Sequence, residues 1–268
     1  MKVRIATLLF ASVLLASCGG GGAGAGSAPS VPVAPTATPS ATPAAMINLS
    51  SWDSSAWVKH DGYANGGAFA VAWCANHAVT QTPNLVMTLD TNGCTANSVC
   101  PAGCAGQAYA SAEMATSATY GYGTYTVAMQ AAKGSGVVST FFTYINTTPG
   151  GPETNDEIDV EIPGARTTTL EATYYKLGDA GVSSVINLPF DASLAMHTYS
   201  IVWLPNSISW VVDGQTLYTA NGSPATMPTT PSNLLLNFWA GNPPWLGAFT
   251  YTGPLQVLYG SASFTPAQ

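Results

Sequence analysis

An all-β antiparallel sandwich is the fold this sequence predicts, on three observations. From residue 46 onward, short runs rich in Thr, Val, Tyr and Ile recur between turn residues. No long stretch carries the 3.6-residue period of an amphipathic helix. Asp213-Gly214 stands between two such runs as a hairpin turn signal. Many short strands at even spacing pack as two antiparallel sheets.

The elements follow in chain order. Residues 1–18 carry Lys2 and Arg4, then the apolar run Ile5 to Ala16, then Ser17 and Cys18. This is the pattern of a secretory signal peptide, and the run is too short for a spanning helix, which needs about 20 residues. Leu15-Ala16-Ser17-Cys18 also resembles a bacterial lipobox, which implies cleavage before Cys18 and lipidation of its thiol. The alternative is an ordinary cleaved signal with a chance cysteine. Residues 19–45 are Gly, Ala, Ser, Pro and Thr apart from Val31 and Val33, with no charge or aromatic ring. Such a segment cannot bury enough apolar surface to offset its ordering entropy, so it is expected to be a disordered tether. Residues 46–268, about 220 of them, suffice for one well-buried core.

Strands are expected over Tyr122–Met129, Val137–Tyr144, Glu157–Ile162, Thr169–Tyr175, His197–Trp203, Ile208–Val212 and Asn233–Phe238. Asp191 to Leu194 is expected to form one helical turn, with little other helix. Trp203 and Trp210 are assigned to the core. His60, His77 and His197 are assigned structural roles, because no metal or nucleophile motif surrounds them.

Charge narrows the function. The chain has 6 basic and 13 acidic residues, for a net charge of −7. Without Lys2 and Arg4 the mature chain has four basic residues against thirteen acidic ones, a net charge of −9. No basic patch exists, which argues against nucleic acid and anionic membrane surfaces as partners. Only 7% of residues are charged, and Thr, Ser, Asn, Gly and aromatic residues supply the rest of the surface, as suits a neutral, hydroxyl-rich ligand. Four cysteines remain after Cys18: Cys74, Cys94, Cys100 and Cys104. In an exported chain they suggest two disulfides, with three pairings open. A zinc site is the competitor, disfavoured by irregular spacing and an oxidising compartment.

Four of the carboxylates, Asp156, Glu157, Asp159 and Glu161, fall within six residues, with no cation nearby in sequence. Read as a strand, period two puts Glu157, Asp159 and Glu161 on one face and Ile158, Val160 and Ile162 on the other. Two glutamates four apart on a strand have Cα atoms about 13 Å apart, from a rise of about 3.3 Å per residue. Side chains leaning together can bring the carboxyl groups to the roughly 5–5.5 Å used by retaining glycosidases. One would attack the anomeric carbon, and the other would protonate the leaving oxygen and then activate water. Asp159 between them could hold the two in different protonation states. The competing readings are a solvated acidic strand or a calcium site. Calcium wants six to eight oxygens, usually from a loop.

Glu157-Ile158-Asp159-Val160-Glu161 matches the E-I-D-x-E motif of glycoside hydrolase family 16, in the form found in bacterial lichenases (endo-1,3-1,4-β-glucanases) and plant xyloglucan endotransglycosylases. Lys59-His60-Asp61-Gly62-Tyr63-Ala64-Asn65-Gly66-Gly67 also resembles a lichenase segment. Tyr120 to Gly123, Ser139 to Tyr144, Phe190 to Ser193, His197 to Tyr199, Trp210 to Gly214 and Asn237 to Trp239 match in the same order, so the similarity covers roughly residues 52–260. The resemblance implies a concanavalin A-like jelly-roll sandwich with a concave sugar-binding cleft. It implies Glu157 as nucleophile, Glu161 as acid/base and Asp159 as the assisting residue. It places Tyr63, Asn65, Glu113, Phe142, Tyr144, Tyr175, Asn237 and Trp239 along the cleft, where aromatic faces stack on sugar rings and polar groups bond hydroxyls.

The sequence also departs from the lichenase pattern. A Trp is replaced by Asn155, an Arg by Ala115 and an Asn by Thr173. These are substrate-side changes, and losing Arg removes a multi-donor fork for hydroxyls. The two positions of a common lichenase disulfide fall at Val71 and Ser111, so the Cys74 to Cys104 cluster is expected to staple an inserted loop instead. The family's acidic calcium ligand falls near Gly260, which disfavours a structural calcium ion. No metal or other cofactor is expected for catalysis.

The expected activity is therefore endo-hydrolysis of a mixed-linkage or related β-glucan, with an exopolysaccharide as another candidate polymer. A transglycosylase would use the same residues, and a non-catalytic polysaccharide-binding protein would have no need of the paired glutamates. The expected partner is the polysaccharide, with a monomeric chain touching a membrane only through a lipid on Cys18.

Overall fold

The computed structural model describes residues 45–47, 53–95, 98–101, 103–149, 154–241 and 244–268. The expected leader, its Cys18 and all of the tether except Ala45 lie outside the described residues.

Sixteen strands follow one another. They are β1 (Ala45–Ile47), β2 (Trp57–Lys59), β3 (Val71–Trp73), β4 (Ala78–Gln81), β5 (Asn84–Leu89), β6 (Tyr109–Thr116), β7 (Gly123–Gln130) and β8 (Val137–Asn146). Then come β9 (Asn155–Pro163), β10 (Thr169–Tyr175), β11 (Val182–Asn187), β12 (His197–Leu204), β13 (Ser207–Val212), β14 (Gln215–Asn221), β15 (Asn233–Ala240) and β16 (Leu255–Pro266). The helices among the described residues are two 3-10 turns, Ala75–His77 and Pro244–Leu246.

The strands form two packed sheets, the expected jelly-roll sandwich. The outer sheet runs β14-β13-β12-β7-β16-β5-β4, with β1 beside β16. The cleft sheet runs β11-β10-β9-β8-β15-β6-β2, with β3 beside β6. Neighbours pair antiparallel except β3 and β6, which are parallel. Asp213 and Gly214 both take positive φ, 48° and 79°, as the two-residue turn between β13 and β14 requires. The expected helical turn at Asp191 to Leu194 is instead a single hydrogen-bonded turn, Leu194 N–H to Asp191 C=O at 3.1 Å. Asp191 Oδ1 accepts from the Ser193 N–H and hydroxyl, so the local side chain satisfies the backbone without a helix.

The core lies between the sheets. β9 contributes Ile158, Val160 and Ile162, β8 contributes Phe141, and the outer sheet contributes Tyr125, Tyr199, Trp203, Trp210 and Tyr259, all fully buried. Polar tips in this core reach across it. Trp210 Nε1 donates to the Asp159 carbonyl at 2.7 Å. The Tyr259 hydroxyl lies 2.7 Å from the Thr140 carbonyl and 2.9 Å from that of Asn237. Outer-sheet side chains thus hold the backbone of three cleft strands in place.

The cysteines form two disulfides, Cys74–Cys94 and Cys100–Cys104. The first ties the end of β3 to the long β5–β6 connection, and the second closes a short loop within it. The expected loop staple is therefore present. The two bridges span 20 and 4 residues of sequence. Chain-entropy arithmetic gives the longer loop about 3 kcal/mol of stabilisation and the shorter about 2 kcal/mol. Denaturant melts of the two paired Cys→Ser variants should rank Cys74/Cys94 as the costlier loss, and the reverse order would show that loop length does not govern these bridges.

Candidate active site

Alternation along β9 builds the site. The apolar residues of β9 enter the core, so Glu157, Asp159 and Glu161 emerge together on the opposite face of the cleft sheet. They are nonetheless well covered: Glu157 is 8% exposed and Asp159 5%. Strand pairing extends the same face sideways. Opposite Glu157 stand Tyr144 on β8 and Tyr175 on β10. Opposite Asp159 stand Phe142 and Thr173, and opposite Glu161 stand Thr140 and Glu171. Further across, Asn237 pairs with Thr140, and Glu113 with Asn237.

Phe142, Tyr144 and Leu235, with Ala115 beside them, form an apolar cluster separate from the main core. It lies on the same sheet face as the acids and next to them. The polar row beside it is hydrogen-bonded end to end. Thr140 Oγ1 donates to Asn237 Oδ1 at 2.6 Å, and Asn237 Nδ2 donates to Glu113 Oε2 at 2.9 Å. His60 Nδ1 meets Glu113 Oε1 at 2.6 Å, and the Tyr63 hydroxyl bonds the same carboxylate. His60, expected to be merely structural, thus holds a cleft side chain. His77 and His197 pair with Asp90 and Asp213 away from the acids.

The other expected cleft residues are placed as follows. Asn65 accepts from Trp73 Nε1 at 3.2 Å and is buried. Trp239 is 3% exposed, its ring 4.3 Å from Phe69 and 6.2 Å from Trp245, so its faces are largely covered by neighbouring rings. Tyr175 keeps partial exposure beside Glu157. Burial first, then the charges of Asp159 and Glu157, push its phenol up, so it stays a hydroxyl donor.

The fourth acid of the cluster has a different job. Asp156 faces away from the cleft and is fully buried. Its Oδ1 accepts from the Leu177 N–H at 3.0 Å, and Oδ2 from those of Thr229 and Thr230 at 2.8 and 3.0 Å. Lys176 Nζ lies 3.4 Å away. Burial pushes the carboxyl up, but these backbone donors outweigh it and hold Asp156 below its usual range. The cation absent from the local sequence comes from the far end of β10.

Protonation separates the three cleft acids. Burial, then the charges of Glu157 and Glu161, hold Asp159 well above the carboxylate range, and its proton is shared in a hydrogen bond with Glu157. Glu161 is pushed up to about 8 by burial, then by Glu157 and Glu171. Glu157 also accepts a hydrogen bond from Asn155 Nδ2, two residues earlier on the same strand face. The face therefore offers one carboxyl group, Glu157, held by hydrogen bonds from Asn155 and Asp159 and, one strand-period beyond Asp159, a second, Glu161, that keeps its proton to neutral pH and above.

Thr140, Glu171 and His60 were missed in the sequence. Period two from Tyr144 and Tyr175 already puts Thr140 and Glu171 on the cleft face. His60 had no comparable signal, because it lies just past the end of β2. The calcium question turns on donors. The space beside Gly260 is bordered by Ala128, Met196 and the Asn84 amide, and no cluster of three or more metal-ligating side chains occurs among the described residues. The atoms nearest Gly260 include no carboxylate.

A sandwich with paired carboxylates beside an apolar platform on one sheet face defines an O-glycosyl hydrolase of the polysaccharide-cleaving kind. Comparison with known proteins gives the family: the model of glycosyl hydrolases family 16 matches residues 65–253, and this chain belongs to that family. A β-glucanase of Bacillus subtilis (strain 168) is 38% identical over 219 residues, covering 81% of this chain and 84% of the relative. A prokaryotic β-1,3-1,4-glucanase (lichenase) from a mouse hindgut metagenome superposes with a TM-score of 0.72 at 34% identity, covering 83% of this chain and 98% of the other. The Bacillus licheniformis β-glucanase gives 0.72 at 35%, covering 83% and 97%.

Proposed function

We propose that this chain is a retaining endo-β-glucanase acting on β-1,3-1,4-glucan or a closely related polymer, with Glu157 as nucleophile and Glu161 as acid/base. The observation that carries this reading is the pair of glutamates on one strand face, set on either side of Asp159 and given different neighbours by the flanking strands. Glu157 is oriented by Asn155 and the Asp159 proton. Glu161 holds its proton up to about pH 8.

The chemistry runs in two displacements. Glu157 attacks the anomeric carbon while Glu161 gives its proton to the departing glycosidic oxygen. The covalent intermediate neutralises Glu157, which removes one of the charges that hold the proton on Glu161. Glu161 then becomes the base that takes a proton from the incoming water. Attack from opposite faces in the two steps restores the starting configuration. Asp159, protonated beside Glu157, bonds the leaving carboxylate in the second step.

The polysaccharide would lie across the strands, over the apolar cluster of Phe142, Tyr144 and Leu235. Tyr63, Asn65, Glu113, Tyr175, Asn237 and Trp239 complete the proposed binding set. The chain is proposed to be exported and monomeric, with residues 1–18 as its signal, 19–45 as a tether and a lipid on Cys18. Among the described residues, no helix is long and apolar enough to cross a membrane.

Product analysis tests the reading. The full chain, expressed with export, is incubated with lichenan, barley β-glucan, laminarin, xyloglucan and succinoglycan. Short oligosaccharides from lichenan and barley glucan, with none from laminarin, are expected. Products longer than the starting chains would point to transglycosylation, and binding without cleavage of any polymer would overturn the hydrolase reading.

A further inference from the structure

Glu171 is the unexplained acid of the cleft face. It stands directly across from Glu161 on the neighbouring strand, where facing Cβ atoms are about 4.5–5.5 Å apart. A like charge in that position is costly unless something holds it. Arg166, in the turn between β9 and β10, supplies the hold: Nη2 donates to Glu171 Oε1 at 2.7 Å. Its other terminal nitrogen, Nη1, donates to the Trp245 carbonyl at 2.6 Å. The guanidinium is therefore fixed at two points, by a cleft carboxylate and by the loop that bears Trp245.

We propose that the Arg166–Glu171 pair positions and tunes the acid/base: Glu171 keeps a proton on Glu161, Arg166 limits how strongly it does so, and together they set the upper pH limit of catalysis. The inference rests on the assignment of Glu161 above. Other groups facing Glu161 are accounted for. Glu157 and Asp159 share its strand face, and Tyr175 lies on β10. Thr140 opposite it on β8 does not titrate, and Glu113 lies two strands beyond with its carboxylate engaged by Asn237, His60 and Tyr63. Glu171 is thus the carboxylate next to Glu161 that is ion-paired to a group outside the reacting trio. Its Coulombic effect on Glu161 is in the direction required.

The sign is definite. Glu161 must be protonated for the first displacement, so activity falls as pH rises through its pKa. Glu171→Gln removes a like charge and leaves the Arg166 cation unpaired nearby, and both changes favour ionised Glu161. The alkaline limb of kcat/KM on polysaccharide should move down by roughly one pH unit. Arg166→Ala leaves Glu171 uncompensated, so the limb should move up. Arg166→Lys keeps a cation and should restore most of the wild-type profile.

The experiment records kcat/KM against pH for wild type, these three variants and Glu161→Ala, on barley glucan and on a dinitrophenyl β-oligoglucoside that needs no acid. Thermal melts establish that each variant is folded, and the isosteric Glu171→Gln decides the matter should Arg166→Ala unfold. An alkaline limb that survives Glu161→Ala on the polysaccharide would sink the assignment of Glu161 and this proposal with it. A limb that disappears in Glu161→Ala yet stays in place in Glu171→Gln would overturn the tuning role alone.

Discussion

Glu157→Ala is expected to lose turnover by a factor on the order of 10⁴ or more, and to regain part of it with azide. The loss is large because neither other acid on β9 is available to form the covalent intermediate, and Glu171 and Glu113 are engaged by Arg166, Asn237 and His60. Asp159 holds a proton, and Glu161, which also holds one to about pH 8, is the residue proposed for proton transfer. Removing the side chain leaves a space on the attacking side of the sugar, bordered by Tyr144 and Tyr175. Azide entering there attacks the anomeric carbon in one displacement, so the glycosyl azide should have inverted configuration. Carbon–proton coupling constants of the product decide this. An azide product of retained configuration would mean that another residue forms the intermediate. Glu157→Gln, which keeps the shape and can still accept from Asn155, should be equally inactive. Near-normal turnover in that variant would remove Glu157 from the mechanism.

Glu161→Gln should lose about 10²–10⁴-fold on polysaccharide, the usual share of general acid catalysis. The loss should be far smaller on a dinitrophenyl glycoside, whose leaving group departs without a proton. The covalent intermediate should then accumulate, because the second step still lacks its base, and mass spectrometry would detect it on Glu157. The same variant should melt at a higher temperature than wild type at pH 9. The folded pKa of Glu161 is raised to about 8. The folded state therefore holds the proton more tightly than the unfolded chain, and stability falls as pH rises from the unfolded pKa to about 8. Gln never ionises and avoids that loss. Equal turnover on both substrates, or a melting point that drops at pH 9, would contradict the assignment.

The fold was legible because its signal is periodic. Seven expected strands, among them Thr169–Tyr175 and Val137–Tyr144, lie on observed ones to within a few residues. The acidic strand β9 was legible for the same reason, since alternation alone puts three of its acids on one face. What escaped were features made by partners remote in sequence. Asp156 looked like a fourth acid of one cluster, yet its donors come from Leu177, Thr229 and Thr230. His60 looked idle until β2 was set beside β6, where its ring reaches Glu113. β11 and β14 are edge strands with weak apolar alternation, and they carried little signal. The disulfide pairing could not be read from spacing, because only the folded β5–β6 connection brings Cys94 to Cys74.

The cleft sheet also divides labour in a way that bears on heredity. The three acids proposed to react are encoded by five consecutive codons on β9, whereas the side chains around them belong to β6, β8, β10 and β15 and to connecting loops. On the proposed assignment, a mutation at Thr173 or Ala115 is expected to alter what the groove accepts while leaving the β9 acids in place. Which glucan is bound and whether it is cleaved would then be open to change by separate substitutions.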